Sequence, residues 1–126
     1  MHNFQELIIW QKAMNIAEAV YKLSKKFPKE ERYGLKSQIR RSAVSIASNI
    51  AEGAGRNTNG EFKNFLGIAS GSSNELMTQL MLSSRLGLVE ESRVTPIIHQ
   101  LKEVQKINYS FRSEEHTSEL QSPVPI

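Results

Sequence analysis

Cysteine is absent from the 126 residues, and with it go disulfides, thiolate metal sites and cysteine nucleophiles. Aspartate is absent too, which removes Asp-dependent catalytic triads and the Asp–Mg²⁺ sites of phosphoryl transfer. Histidine is scarce: His2, His99 and His116 form no pair at metal-ligand spacing. The Glu-x-x-His pattern of di-iron bundles is also missing from residues 1–111, where Glu103 has Lys106 three residues on and Glu75 has Thr78. Gly53-Ala54-Gly55 resembles a phosphate loop only superficially, because no Gly-Lys-Ser/Thr follows. We therefore expect no metal, no cofactor and no catalytic residue. Long apolar runs are lacking as well: nothing approaches the roughly 20 residues of a membrane span. Met1 to Glu6 carry neither the basic nor the apolar segment of a secretory signal. The expectation is a cytoplasmic protein with no membrane partner.

What remains is a length suited to one compact domain, with 39% apolar and 23% charged residues. Four helical patterns fill it. Leu7, Trp10, Met14, Ala17 and Tyr21 form one apolar series, and Ile9, Ala13, Ile16, Val20, Leu23 and Phe27 a second, about 100° further round the same helix. That arc is wider than one neighbour needs, so the helix at 6–26 is expected to bury two flanks, the second of them in self-association. Pro28 closes it. Leu35, Ile39, Ala43, Ile46 and Ile50 predict a helix over 35–53, stopped by Gly53 and Gly55 in a left-handed turn. Thr58 and Glu61 stand at capping-box spacing before a helix over 59–86. The small residues Gly67, Ala69, Ser70, Gly71, Ser72 and Ser73 predict a close helix crossing within it. Gly87 supplies the next stop, and a helix over 94–111 takes Pro96 into its first turn. Short connections make this all-α chain an antiparallel up-and-down four-helix bundle. Its core is expected to include Trp10, Val20, Ile39, Ala43, Ile46, Ile50, Phe65, Ala69, Leu76 and Leu101.

The apolar period stops after Phe111. Residues 112–122 are the in-frame translation of a common short-read sequencing adapter, so we read 1–111 as the domain and 112–126 as a disordered tail of artefactual origin. The whole chain carries +3, whereas residues 1–111 hold fifteen bases and ten acids, a net +5. Such a balance permits a polyanionic partner. Lys36, Arg40 and Arg41, with Arg56 and Lys63 flanking the next corner, suggest a cationic strip at one end of the second and third helices. A strip of this kind binds phosphates without reading sequence. Aromatic residues do not interleave with these bases in the chain, which argues against base stacking. Asn49, Glu52 and Gly53 mark a structural corner, where Asn49 or Glu52 is expected to satisfy amides of the third helix or to pair with Arg56.

The ordered matches Leu7-x-x-Trp10-Gln11-Lys12-Ala13-Met14, Gly34-Leu35, and Gln38-Ile39-Arg40-Arg41-Ser42-Ala43-Val44-Ser45-Ile46 make the chain resemble a known family. Asn49-Ile50-Ala51-Glu52-Gly53 with Arg56, and Glu61-Phe62-x-x-Phe65-Leu66 with Gly71-Ser72, Glu75-Leu76 and Gln79-Leu80, extend the match to about Gly87. The family is the bacterial four-helix bundle first described as proteins encoded by intervening sequences within large-subunit ribosomal RNA genes. Ala47 departs from it, standing where proline is frequent. The family is similar in turn to the accessory protein of diversity-generating retroelements. The resemblance implies a four-helix bundle, a homo-oligomer of pentameric form, binding of RNA or DNA, and no enzymatic activity. A protein-binding oligomeric scaffold, in which the bases serve only solubility, is the competing expectation.

Overall fold

The computed structural model describes residues 1–113 and 126. Four helices account for most of them: α1 (Ile8–Ser24), α2 (Leu35–Ala54), α3 (Asn59–Arg85) and α4 (Glu91–Ser113). Short 3₁₀ turns at Phe4–Glu6 and Lys29–Glu31 precede α1 and α2. Each helix touches its sequence neighbours, α4 returns to α1, and the diagonal pairs do not meet. That circuit is the antiparallel up-and-down bundle expected from the four periodic patterns. Its centre is built by Ile9, Ile16, Val20, Ile39, Ile46, Ile50, Phe62, Leu66, Leu76, Leu80, Leu101 and Val104, all withdrawn from solvent. Burying each such side chain contributes about 1.5–3 kcal/mol.

Helix ends are set by local chemistry. The Thr58 hydroxyl accepts from the Glu61 amide at 3.1 Å and meets the Glu61 carboxylate at 3.1 Å, capping α3 as its spacing predicted. At the other end Gly87 takes φ of 76°, its N–H donates to the Ser84 carbonyl, and the Leu88 N–H donates to that of Ser83. This is a Schellman closure, which only a residue at ease with positive φ makes cheaply.

Elsewhere the structure corrects the sequence reading. Among the described residues only Gly87 has positive φ, so the stop at Gly53 and Gly55 is not left-handed. Gly53 is needed for space instead: a Cβ there would lie 2.6 Å from the Phe65 Cβ and 2.9 Å from Phe62 Cδ1. The expected crossing in mid-α3 is carried by Ala69 and Ser73, both buried, whereas Gly71 faces open space. Helix α4 starts three residues earlier than predicted, which leaves Pro96 inside the helix rather than in its first turn. Trp10 and Phe65 are half-buried, not core: Trp10 packs edge-on to Phe4, and the Arg56 guanidinium lies 4.7 Å over the Phe65 ring. The remaining predicted core residues are buried. Arg112 and Ser113 continue α4, and residues 114–125 of the expected tail lie outside the described residues.

Candidate nucleic-acid interface

Helix α2 rises about 1.5 Å per residue, so Lys36 and Arg56 lie roughly 30 Å apart. The five basic residues grouped from the sequence thus fall at two ends of the bundle. Lys36, Arg40 and Arg41 stand at the start of α2, and Arg56 and Lys63 at the corner where α2 hands over to α3.

At the corner, the Arg56 side chain donates to the Glu52 carboxylate at 3.1 Å and stacks on Phe65, fulfilling one of the two roles open to Glu52. Asn49 does neither of the things expected of it. Its amide donates back along α2 to the Ser45 carbonyl at 2.8 Å and to the Ser45 hydroxyl at 3.0 Å. The Ser45 hydroxyl in turn shares a 2.8 Å bond with Ser72 of α3. One turn earlier, the buried Ser42 Oγ lies 2.8 Å from a Glu75 carboxylate oxygen and 2.9 Å from the Gln79 amide oxygen. A hydroxyl has one proton, so it donates to one of these at a time. Asn49, Ser45 and Ser42 therefore form a polar seam that sets the register of α2 against α3, a structural use of groups that leaves little to present to a ligand.

The other end is built differently. The C-terminal turn of α1, the Lys29–Glu31 turn and the first half of α2 enclose an open groove of about 1230 Å³. Among the described residues six cations line it, Lys25, Lys29, Arg32, Lys36, Arg40 and Arg41, together with Tyr21, Phe27 and Tyr33, and no carboxylate does. Glu31, on the bordering turn, turns its carboxylate to the start of α2, where it accepts from the Leu35 amide at 3.1 Å. A carboxylate is well placed there, against the positive end of the helix dipole.

The six cations are not equivalent. Arg40 Nε donates to the Ser24 hydroxyl at 2.7 Å, its terminal nitrogen reaches the Tyr21 carbonyl at 3.3 Å, and its Cζ sits 4.4 Å over the Tyr21 ring. Those acceptors belong to the last turn of α1, so Arg40 caps that helix. Arg41 is exposed and Lys36 half-exposed, and neither pairs with a carboxylate among the described residues. Sequence reasoning passed over Lys25, which it placed in the first helix, and over Lys29 and Arg32, which lie between the first two predicted helices. A cation every three or four residues from Lys22 to Lys36 was the available signal. It also missed Tyr21 and Tyr33, although both alternate with the bases along this same stretch of the chain.

Beside the groove, Met14 and Tyr21 of α1 and Val44 of α2 are exposed, with Trp10 and Ala17 half-buried on the same stripe of α1. This is the second apolar series read from the sequence: Trp10 rests against Phe4 and Tyr21 lies under Arg40, while Met14 and Val44 stay exposed. Among the described residues no helix is long and apolar enough to cross a membrane, and no group of three His, Cys, Asp or Glu is placed to hold a metal.

Comparison with known proteins supports this architecture. A family model described as 23S rRNA-intervening sequence protein matches residues 5–110. A solved structure from Bacteroides thetaiotaomicron, a protein of unknown function from the S23 ribosomal protein family, is similar at 25% identity with a TM-score of 0.78. The similarity covers 84% of this chain and 99% of that one. No curated protein matches the chain.

Proposed function

The chain belongs to the 23S rRNA-intervening sequence protein family, and from that premise we propose that it is a non-enzymatic, homo-oligomeric accessory protein that binds nucleic acid through the groove at the start of α2. The observation that carries this reading is six cations lining one groove with no carboxylate among the described residues that line it. Like charges so gathered repel one another unless a polyanion offsets them, and a phosphate backbone does so. The stripe of exposed Met14, Tyr21 and Val44, flanked by half-buried Trp10 and Ala17, favours self-association, in line with the pentamer that the resemblance implies. Repetition of the groove around an oligomer multiplies weak phosphate contacts into avidity.

Within the groove, Lys36 and Arg41 are the phosphate contacts and Arg40 holds the frame. Arg56 and Lys63 form a separate basic end. The test is a salt titration of nucleic-acid binding by the wild-type chain and by the double variant Lys36→Gln, Arg41→Gln. Removing two phosphate contacts is expected to reduce the slope of log affinity against log salt by about 1.4–1.8, with the oligomer unchanged in light scattering. Absent or salt-insensitive binding in the wild type overturns the proposal and leaves the protein-binding scaffold.

A further inference from the structure

Among the described residues Tyr33 is the most exposed large hydrophobic side chain, at 86%, and it stands in the loop that feeds α2, on the rim of the cationic groove. Its ring meets one partner among the described residues, the adjacent Arg32, whose Cζ lies 5.4 Å from the ring centroid. Tyr21 on the opposite wall is half covered, with the Arg40 guanidinium lying over its ring. The groove therefore offers two Arg–Tyr pairs, one closed by its duty at the end of α1 and one open to solvent. Folding gains nothing visible from Tyr33, since an aromatic ring in water buries no apolar surface.

We infer that the groove takes single-stranded nucleic acid, its phosphates lying along Lys36 and Arg41 and an unpaired base stacking on Tyr33 beside Arg32. This rests on the nucleic-acid reading above and narrows it. In a duplex the base faces are stacked on one another and only phosphates and groove edges are presented, so an open aromatic ring has nothing to receive. A single strand splays its bases and pairs aromatic rings with cations that track its backbone, the combination found here. Lys36 and Arg40 are one helical turn apart, a rise of about 6 Å, so the cations form a track along the helix rather than one cluster. Stacking is tolerant of base identity, which fits a groove without side-chain amides aimed at base edges.

The test compares a short dye-labelled single strand of mixed sequence, as RNA and as DNA, with the same strand annealed to its complement, by fluorescence anisotropy at one salt concentration on the full chain. The single strand is expected to bind about tenfold more tightly than the duplex. Tyr33→Ala is expected to lose about tenfold on the single strand and nothing on the duplex, while Tyr33→Phe keeps the wild-type affinity. A 2-aminopurine placed in the strand is expected to be quenched by the wild type and by Tyr33→Phe but not by Tyr33→Ala. Duplex binding as tight as single-strand binding, or Tyr33→Ala behaving as wild type, overturns the single-strand inference while salt-dependent binding still upholds the nucleic-acid reading. Binding of neither form by the wild type overturns both.

Discussion

The two ends of α2 carry the same kind of residue for opposite purposes. At the corner with α3, Arg56 is spent locally on Glu52 and Phe65, and Gly53 lets the two helices touch. At the α1 end, cations crowd a groove that no carboxylate lines among the described residues, and of those cations Arg40 has its hydrogen bonds committed within the fold. Basic residues read as one strip therefore divide by what they touch: Arg56 is held by a carboxylate and a ring, whereas Lys36 and Arg41 pair with no carboxylate among the described residues.

The largest effect should come from the corner. Gly53→Ala would place a methyl 2.6 Å from the Phe65 Cβ and 3.3 Å from the Phe62 carbonyl oxygen, backbone and near-backbone atoms that cannot swing away. Alanine is the better helix former by nearly 1 kcal/mol, yet overpacking of this kind costs more, and a net loss of about 2 kcal/mol is expected in urea unfolding. Unchanged or raised stability would show that the α2–α3 corner is looser than its geometry requires, and would remove the contrast between a rigid end and a receptive one.

At the groove end the corresponding substitution is Arg40→Ala. It removes the donors to the buried Ser24 hydroxyl and to the Tyr21 carbonyl, leaving these two groups only their own long bond, in which the Ser24 hydroxyl donates to the Tyr21 carbonyl at 3.3 Å. Charged hydrogen bonds of this type support a loss of about 1.5 kcal/mol, read by thermal or urea unfolding. Arg41→Ala, one residue on and exposed, should change stability by less than about 0.5 kcal/mol. Equal losses from the two would dissolve the distinction between frame and ligand contact within the groove.

The helices were legible because their apolar residues recur at helical spacing, and because Thr58 and Gly87 close them by strictly local chemistry. The reading was poorer wherever geometry depends on a residue distant in the chain. Trp10 and Phe65 sit on apolar faces by period alone, yet each lies at the edge of its helix interface, under Phe4 and Arg56 respectively. Pro96 was assigned to a first turn because nothing local to it reports that α4 has already begun at Glu91. The groove was half-read for the same reason. Lys36, Arg40 and Arg41 share one helix and were visible together, whereas Tyr21 and Lys25 join them through the fold-back of α1 onto α2, and Arg32 and Tyr33 through the turn that precedes α2.

A substitution with as small a stability effect as that of Arg41→Ala is the most discriminating between the two ends. The Arg56–Glu52 pair joins residues four apart on one helix, with side chains 41% and 56% exposed. Solvent and salt screen such a pair, so Arg56→Gln should cost no more than about 0.5 kcal/mol in urea unfolding, including its contact with Phe65. Both ends could attract a polyanion by charge alone, and repetition of either around an oligomer would add avidity. The salt dependence separates them, since only cations that displace counterions from phosphates enter the slope. If the ligand lies in the α1–α2 groove, Arg56→Gln leaves the slope of nucleic-acid binding at its wild-type value, while the Lys36 and Arg41 double variant flattens it. A flattening by Arg56→Gln equal to one full contact, about 0.7–0.9, would instead place phosphate at the corner, and the contrast between a self-satisfied end and a ligand-facing one would fail.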